Sequence, residues 1–391
     1  MKKILRLTFI LIISFFLSGC WDYSSLENNY TIVGIGIDVD ESSPDNIIVS
    51  FVGPTQAMRN NSSDSGSNSE KDNYYFIKSS GESIRSATTK AQNKTGQTLS
   101  INNLRVIVLS EDIARKGISK YLDSFLRNAQ INLNIFIFVT KGTAQELISY
   151  KSENISRTPL YLIDLLNSSD FQTKTDFSTL KEVTYALNSN YKAFVLPYLT
   201  LNPKEKEITF ENLCLFKDNK MIDILSEGES IGYFLLSGFF KKDEYVLDGA
   251  HTDNKEKEGS SFYLFSKKRT TNVSMVNDMI NFDLMFKLTG KTTEQITNST
   301  MMSSIASDDT NKFKSLQKKY ENKISSLLKV SMVNLLEKLQ TEYKVDSLGF
   351  GEYVRVKYPD YFKEISWEEE FQKAKFNVNV EVNIKSRGII K

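Results

Sequence analysis

Cysteine and histidine are nearly missing from this 391-residue chain, which has two of the first and one of the second. Two cysteines cannot build a disulfide framework, so packed cores must supply the stability. The single histidine, His251, stands in a charged run from Lys241 to Glu258, with Asp253 and Glu256 as its best partners. A catalytic or metal role would need such partners at fixed distances. Charge runs of this kind are as a rule solvated, and this one reads as a loop. There is no His-Glu-x-x-His, no Gly-x-Ser-x-Gly, no P-loop and no cysteine pair at metal spacing. The expectation is a chain that is not an enzyme and has no cofactor, no metal and no catalytic set. An excess of either charge is missing too: 49 basic residues face 48 acidic ones. That balance excludes a nucleic-acid footprint and any general attraction to anionic lipid. Long apolar runs are also lacking beyond the first residues. The most apolar, Ile231 to Phe240, has ten residues with two Gly and one Ser, whereas a spanning helix needs about 20.

What is present begins at the first residue. Lys2, Lys3 and Arg6 precede a short apolar run from Leu7 to Leu17, and small residues follow, so residues 1–19 read as a signal peptide. Leu17-Ser18-Gly19-Cys20 resembles the lipobox of bacterial lipoproteins. The resemblance implies a cut before Cys20 and a diacylglycerol on its thiol, which makes Cys20 the lipidation site. A mature chain of 372 residues (391 − 19) with 46 basic and 48 acidic residues would remain. Cys214 would then be the one free thiol, and its strand-like surroundings make it a small buried hydrophobe. Residues 20–29 form a lipidated tether in which Trp21 is either an interfacial aromatic or packed on the folded body.

Periodicity organises the rest. Tyr30 to Asp38 reads as a strand in which Gly34 and Gly36 mark a close backbone approach or a bulge. A lone Gly-x-Gly without a third Gly, a following helix and a downstream acid does not make a nucleotide site. Ile47 to Phe51 pairs with it as a hairpin, and Asn60 to Asp72 has nothing to bury and reads as a mobile loop. Ser83 to Thr95 is helical with Gly96 as its stop. Leu104 to Leu109 is a buried strand, Ser110 caps a helix, Leu133 to Val139 is the next strand, and Thr143 to Glu146 is a capping box. Pro197 suggests that the strand Ala193 to Leu201 lies at an edge. Beyond it come a hairpin over Ile208–Leu225 and a second capping box at Ser226–Glu229. Strand character follows at Ser261–Lys268 and Phe282–Lys287. A long helix from Asn311 to about Tyr343 is stopped by Gly349 and Gly351, and an alternating strand ends at Ile384. The fold class is mixed α/β (α+β), in three consecutive domains, each a small mixed sheet with flanking helices: 30–201, a ββα unit at 202–260, and 261–391.

Leu-Ser-Gly-Cys-Trp-Asp at 17–22, Val-Gly-Ile-Gly-Ile-Asp at 33–38 and the block from Leu104 to Ile148 together resemble the Ger(x)C family. Those are the C subunits of spore nutrient germinant receptors. Gly349-Phe350-Gly351, Tyr358-Pro359, Trp367 and the closing strand match that family's end as well. Tyr23-Ser24-Ser25 departs from it, where the family often has basic residues. The resemblance implies a non-catalytic subunit held by lipid on the outer face of the spore inner membrane. Its partners there would be two membrane-spanning subunits, an A-type and a transporter-like B-type. The alternative from another class is a solute-binding lipoprotein of an importer, which calls for two similar lobes around a cleft. A surface hydrolase dependent on His251 is the third.

Overall fold

The structure is a computed structural model, and it describes residues 29–55, 74–167, 178–189, 193–237, 243–247, 259–296 and 310–385. The chain opens with strands β1 (Asn29–Thr31), β2 (Gly34–Val39), β3 (Ile47–Pro54) and β4 (Tyr74–Gly81), then helix α1 (Ile84–Thr95). Next come β5 (Thr98–Ser100), β6 (Val106–Ser110), helices α2 (Glu111–Lys116) and α3 (Ser119–Leu126), and β7 (Phe136–Thr140). Helices α4 (Ala144–Ser149), α5 (Thr158–Asn167) and α6 (Leu180–Asn188) lead into β8 (Ala193–Asn202), β9 (Glu207–Lys217), β10 (Lys220–Ile224) and helix α7 (Glu227–Ser237).

Eight of these strands form one sheet in the order β10-β9-β8-β7-β6-β2-β3-β4, and β1 pairs with β5 apart from it. The inner strands β2, β6, β7 and β8 are parallel, and antiparallel hairpins extend both sides. Strands buried on both faces must be apolar throughout. In β6, Ile107 and Leu109 point into the core under α1, α2, α3 and α6, while Val106 and Val108 point into the core under α4 and α5. Local capping fixes where the helices begin. The hydroxyls of Ser83, Ser110 and Thr143 accept the N–H groups of Ser86, Ile113 and Glu146, and Gly96 closes α1 at φ +67°.

The remaining elements are β11 (Asp243–Leu247), β12 (Gly259–Val276), β13 (Met279–Ile296), helix α8 (Thr310–Lys338) with a π-helical turn at Leu339–Tyr343, helices α9 (Phe350–Lys357), α10 (Pro359–Glu364) and α11 (Trp367–Lys373), and β14 (Lys375–Ile384). They make a second sheet, β11-β12-β13-β14. Its spine is the long β12–β13 hairpin, turned by Asn277 and Asp278 at φ +51° and +57°, with β14 parallel to β13. α8 packs against β14, and side-chain hydrogen bonds hold the strand at both ends. From α8, Gln317 donates to Ile384 O (2.6 Å) and Glu321 accepts Ile384 N–H (3.0 Å), while Gln340 of the π-helical turn donates to the carbonyls of Phe371 and Ala374 just before the strand.

The mixed α/β class holds, but four local expectations do not. The strands of the 202–260 segment do not form a small sheet of their own. β9 pairs with β8 along its length, from Asn202–Glu207 to Ala193–Lys217, because a two-stranded hairpin alone cannot bury both faces. β8 is therefore interior, and Pro197 is accommodated because the β7–β8 ladder starts just past it, at Val139–Tyr198. The long helix ends near Tyr343 as its spacing indicates, but its stop is Lys344 at φ +54°, not the glycines, and Gly349 at φ +73° opens α9 instead. Within the charged run 241–258, residues 243–247 form β11. The loop at Asn60–Asp72 lies outside the described residues.

α7 lies between the two sheets. Its residues Tyr233 to Leu236 share one core with Ala193, Val195, Leu213 and Leu215 of the first sheet and with Leu284, Phe286, Met332 and Leu335 of the second part. It crosses α8 at Gly232, where a Cβ would stand 2.5 Å from the carbonyl oxygen of Ser331.

Candidate functional site

In open α/β sheets, ligands settle outside the carboxyl ends of the parallel strands. Those ends are filled by the chain itself. Asp38, buried at the end of β2, accepts the backbone N–H of Ala144 (2.6 Å) and of Gln145 (2.8 Å) at the start of α4. Its own carboxylate thus occupies the position where such sheets offer N–H groups to an anion. Gly34 and Gly36 let this happen: a Cβ would stand 2.7 Å from Pro159 Cγ at the first and 3.0 Å from Ala144 O at the second. Of the two readings of that Gly pair, a close approach or a bulge, the structure has the close approach, and β2 pairs without a register shift. Burial pushes the Asp38 carboxyl up to about 6, against the opposing pull of the two N–H groups and the Ser110 hydroxyl. At the end of β6, Ser110 is spent on capping α2. Tyr198 donates to Glu111 (2.6 Å), which also holds Arg115.

A second buried acid organises the other half. Asp346 accepts from Leu348 N–H (3.3 Å), Gly351 N–H (2.8 Å) and the Trp367 indole (3.0 Å), and burial raises its carboxyl above the ordinary range. Around it Phe350, Phe282 and Phe376 pack ring to ring, with centroids 4.8 to 5.1 Å apart. So Gly349-Phe350-Gly351 and Trp367 meet at one carboxylate. Sequence reasoning missed Asp346, although an Asp just before a helical run is a start signal.

On the outside, α3, α6 and the β9–β10 turn border an open groove of about 680 Å³, floored by Leu122, Leu126 and Leu187 and rimmed by Lys217 and Lys220. Tyr185, on α6, is exposed. Nothing in this lining pairs a base with a nucleophile. Of the residues singled out in the sequence, Cys20, Trp21, His251, Asp253 and Glu256 lie outside the described residues. Cys214 is fully buried, its thiol donates to Leu196 O (3.2 Å), and burial pushes its titration far up. Among the described residues no group of His, Cys, Asp and Glu could hold a metal ion, and no helix is long and apolar enough to cross a membrane.

Two large sheets, a separate β1–β5 pair and strand ends filled by the chain itself define a mixed α/β protein in which the buried acids Asp38 and Asp346 hydrogen-bond to distant segments. Comparison with known proteins gives it a family. The domain described as "Spore germination protein N-terminal domain" matches residues 22–201, and "Spore germination B3/ GerAC like, C-terminal" matches residues 211–388. The chain belongs to this family of spore germination proteins, as its resemblance to the Ger(x)C subunits implied. Among its relatives in Bacillus subtilis (strain 168), spore germination protein A3 is 23% identical over 98% of both chains. Spore germination protein B3 is 22% identical over 96% of this chain and 95% of the relative. The crystal structure of the GerBC protein shares the fold, with a TM-score of 0.57 at 16% identity over 90% of this chain and 97% of that one.

Proposed function

We propose that this chain is a non-catalytic subunit of a spore germinant receptor. It is held by a diacylglycerol on Cys20 at the outer face of the spore inner membrane and assembled there with two membrane-spanning subunits, one of A-type and one transporter-like. The observation that carries the reading is the position of the family domains: the first begins at residue 22, two residues after the lipobox cysteine, and the second runs to residue 388. An anchor at that point confines the folded body to the membrane surface and raises its effective concentration near partners that cross the bilayer. One acyl chain binds only marginally and two hold stably, so the diacyl form is the relevant one. The acids buried at the strand ends and at Asp346 support a structural rather than a catalytic part.

The test is a pair of measurements on spores carrying the wild-type chain or Cys20→Ser. Detergent extraction of wild-type spore membranes should co-purify multi-span partners. The serine variant should leave the membrane fraction and slow nutrient-triggered germination. A variant that stays membrane-bound and germinates normally would refute the anchor; a wild-type chain that brings down no multi-span protein would refute the receptor assignment.

A further inference from the structure

β4 closes the first sheet on one side, and among the described residues no strand pairs with its outer edge. The ladder decides which backbone groups that edge offers. Val33 N–H donates to Val52 O (2.9 Å), so the even residues of β3 turn to β2 and the odd ones to β4. Phe51 pairs with Ile77 and Val49 with Ser79, which spends the odd residues of β4 on β3. Tyr74, Phe76, Lys78 and Ser80 therefore turn their N–H and C=O groups outward.

Two of these four carbonyls are met by ammonium groups rather than by backbone. Lys151, just past α4, donates to Tyr74 O (3.2 Å), and Lys94 of α1 reaches Lys78 O (3.5 Å). α1 and α4 cover opposite faces of the sheet, so the edge is approached from both sides. Between the two carbonyls Phe76 stands 39% exposed. β4 has no proline, and its pairing with β3 runs from Tyr74 to Gly81 without a shift. Proline and bulges are common devices for blunting an edge. The device present here is lysine, which does not close an edge to every partner but selects by charge. Lys78 points to the neutral Gln145 (3.1 Å), and Asp40, near the far end, is held by Ser42 and Ser80.

We propose that the β4 edge accepts an added strand from a partner polypeptide, an extended segment that alternates apolar residues with Asp or Glu. Its main chain takes the outward groups of Phe76, Lys78 and Ser80, and an apolar side chain lies beside Phe76. Its carboxylates receive Lys78 and Lys94. A carboxylate is the stronger acceptor for an ammonium, so Lys94 leaves the Lys78 carbonyl to the incoming N–H. A second copy of this chain fits the edge poorly. It would crowd Lys78 and Lys94 of both copies along one short seam, and β4 contains no acid to meet them. The inference stands apart from the anchor at Cys20 and from the receptor assignment.

The test uses the full-length protein in detergent micelles and two acetylated, amidated peptides, one alternating Val with Glu and one alternating Val with Lys. The Glu peptide should bind about tenfold more tightly, because the cross-strand charge pairs change sign between the two. With it bound, hydrogen exchange should slow at the amides of Phe76, Lys78 and Ser80. Tyr75, Ile77 and Ser79, already bonded to β3, should exchange as before. Phe76→Pro removes an outward N–H without touching the β3 ladder, where an edge strand tolerates proline, and should abolish binding. If that variant does not fold, Lys78→Glu carries the test and should shift the preference toward the Lys peptide. Equal binding of the two peptides, or slow exchange at Phe76, Lys78 and Ser80 already present in the free protein, would overturn the added strand. So would a concentration-dependent dimer that Phe76→Pro dissolves, because a second copy would then own the edge.

Discussion

At Asp38 two opposing effects meet in one carboxyl group. Burial raises it to about 6, although two backbone N–H groups and a hydroxyl favour its charged form. The folded protein thus holds this proton more tightly than an unfolded chain whose Asp titrates near 3.8. The sign follows: the group's contribution is present at low pH and is lost as pH rises through 6. The advantage of the wild type over Asp38→Asn should therefore grow as pH falls from 7 to 4, and urea midpoints measure it. A pH-independent difference contradicts the assignment. Asp38→Ala strands the N–H groups of Ala144 and Gln145 at a buried helix start and should cost about 1–3 kcal/mol at pH 7. How much of this was legible depends on distance along the chain. Caps at Ser110 and Thr143 could be read because donor and acceptor are three residues apart. The partners of Asp38 lie 106 and 107 residues away. A strand ending in an acid gives no hint of which helix that acid will hold.

Elements were legible where one face repeats and illegible where a partner sets the limits. The apolar spacing of α8 showed the long helix and its end near Tyr343, but no glycine or proline between 339 and 344 marks the residue that stops it. The chain ends it by forcing a non-glycine residue, Lys344, into the left-handed region. β12 and β13 were visible only as short apolar stretches. Their full 18 residues each are set by pairing with one another and with β14. The crossing of α7 over α8 shows most clearly what sequence pattern leaves out. Gly232 stands in an apolar helical run like any small residue, yet the Ser331 carbonyl leaves no room for a methyl group there. Backbone cannot yield as a flexible side chain can, so the helices must move apart. Gly232→Ala, favourable by helix propensity, should instead lower stability by about 1–3 kcal/mol through overpacking. Gly228→Ala, one turn earlier and 3.9 Å from the nearest side-chain atom, should be neutral or mildly stabilising. Thermal midpoints of the two variants decide it, and equal shifts would refute the close crossing.

For the molecule as a whole, the sequence marks a boundary near residue 201, and the two family domains meet close to it. The core does not stop there. Leu213 and Leu215 belong to the first sheet by hydrogen bonding, but their side chains join the cluster that contains Phe286 of β13 and Leu335 of α8. No composition shift can reveal this, because the same strand serves α3 and α6 with one face and α7 with the other. If the two sheets share one core, damage to one must be felt by the other. Leu215→Ala removes a fully buried side chain from β9 and should cost about 2–5 kcal/mol. In native-state hydrogen exchange, the slowest amides of β6 and of β13 should lose protection by the same amount, because both open only in the global transition. A loss confined to β8, β9 and β10, with β13 unchanged, would mean that the second sheet unfolds on its own and that α7 is a linker rather than a shared core element. Equal loss would make the body a single mechanical unit, so that a force or contact at the β12–β13 hairpin is carried through α7 into the first sheet.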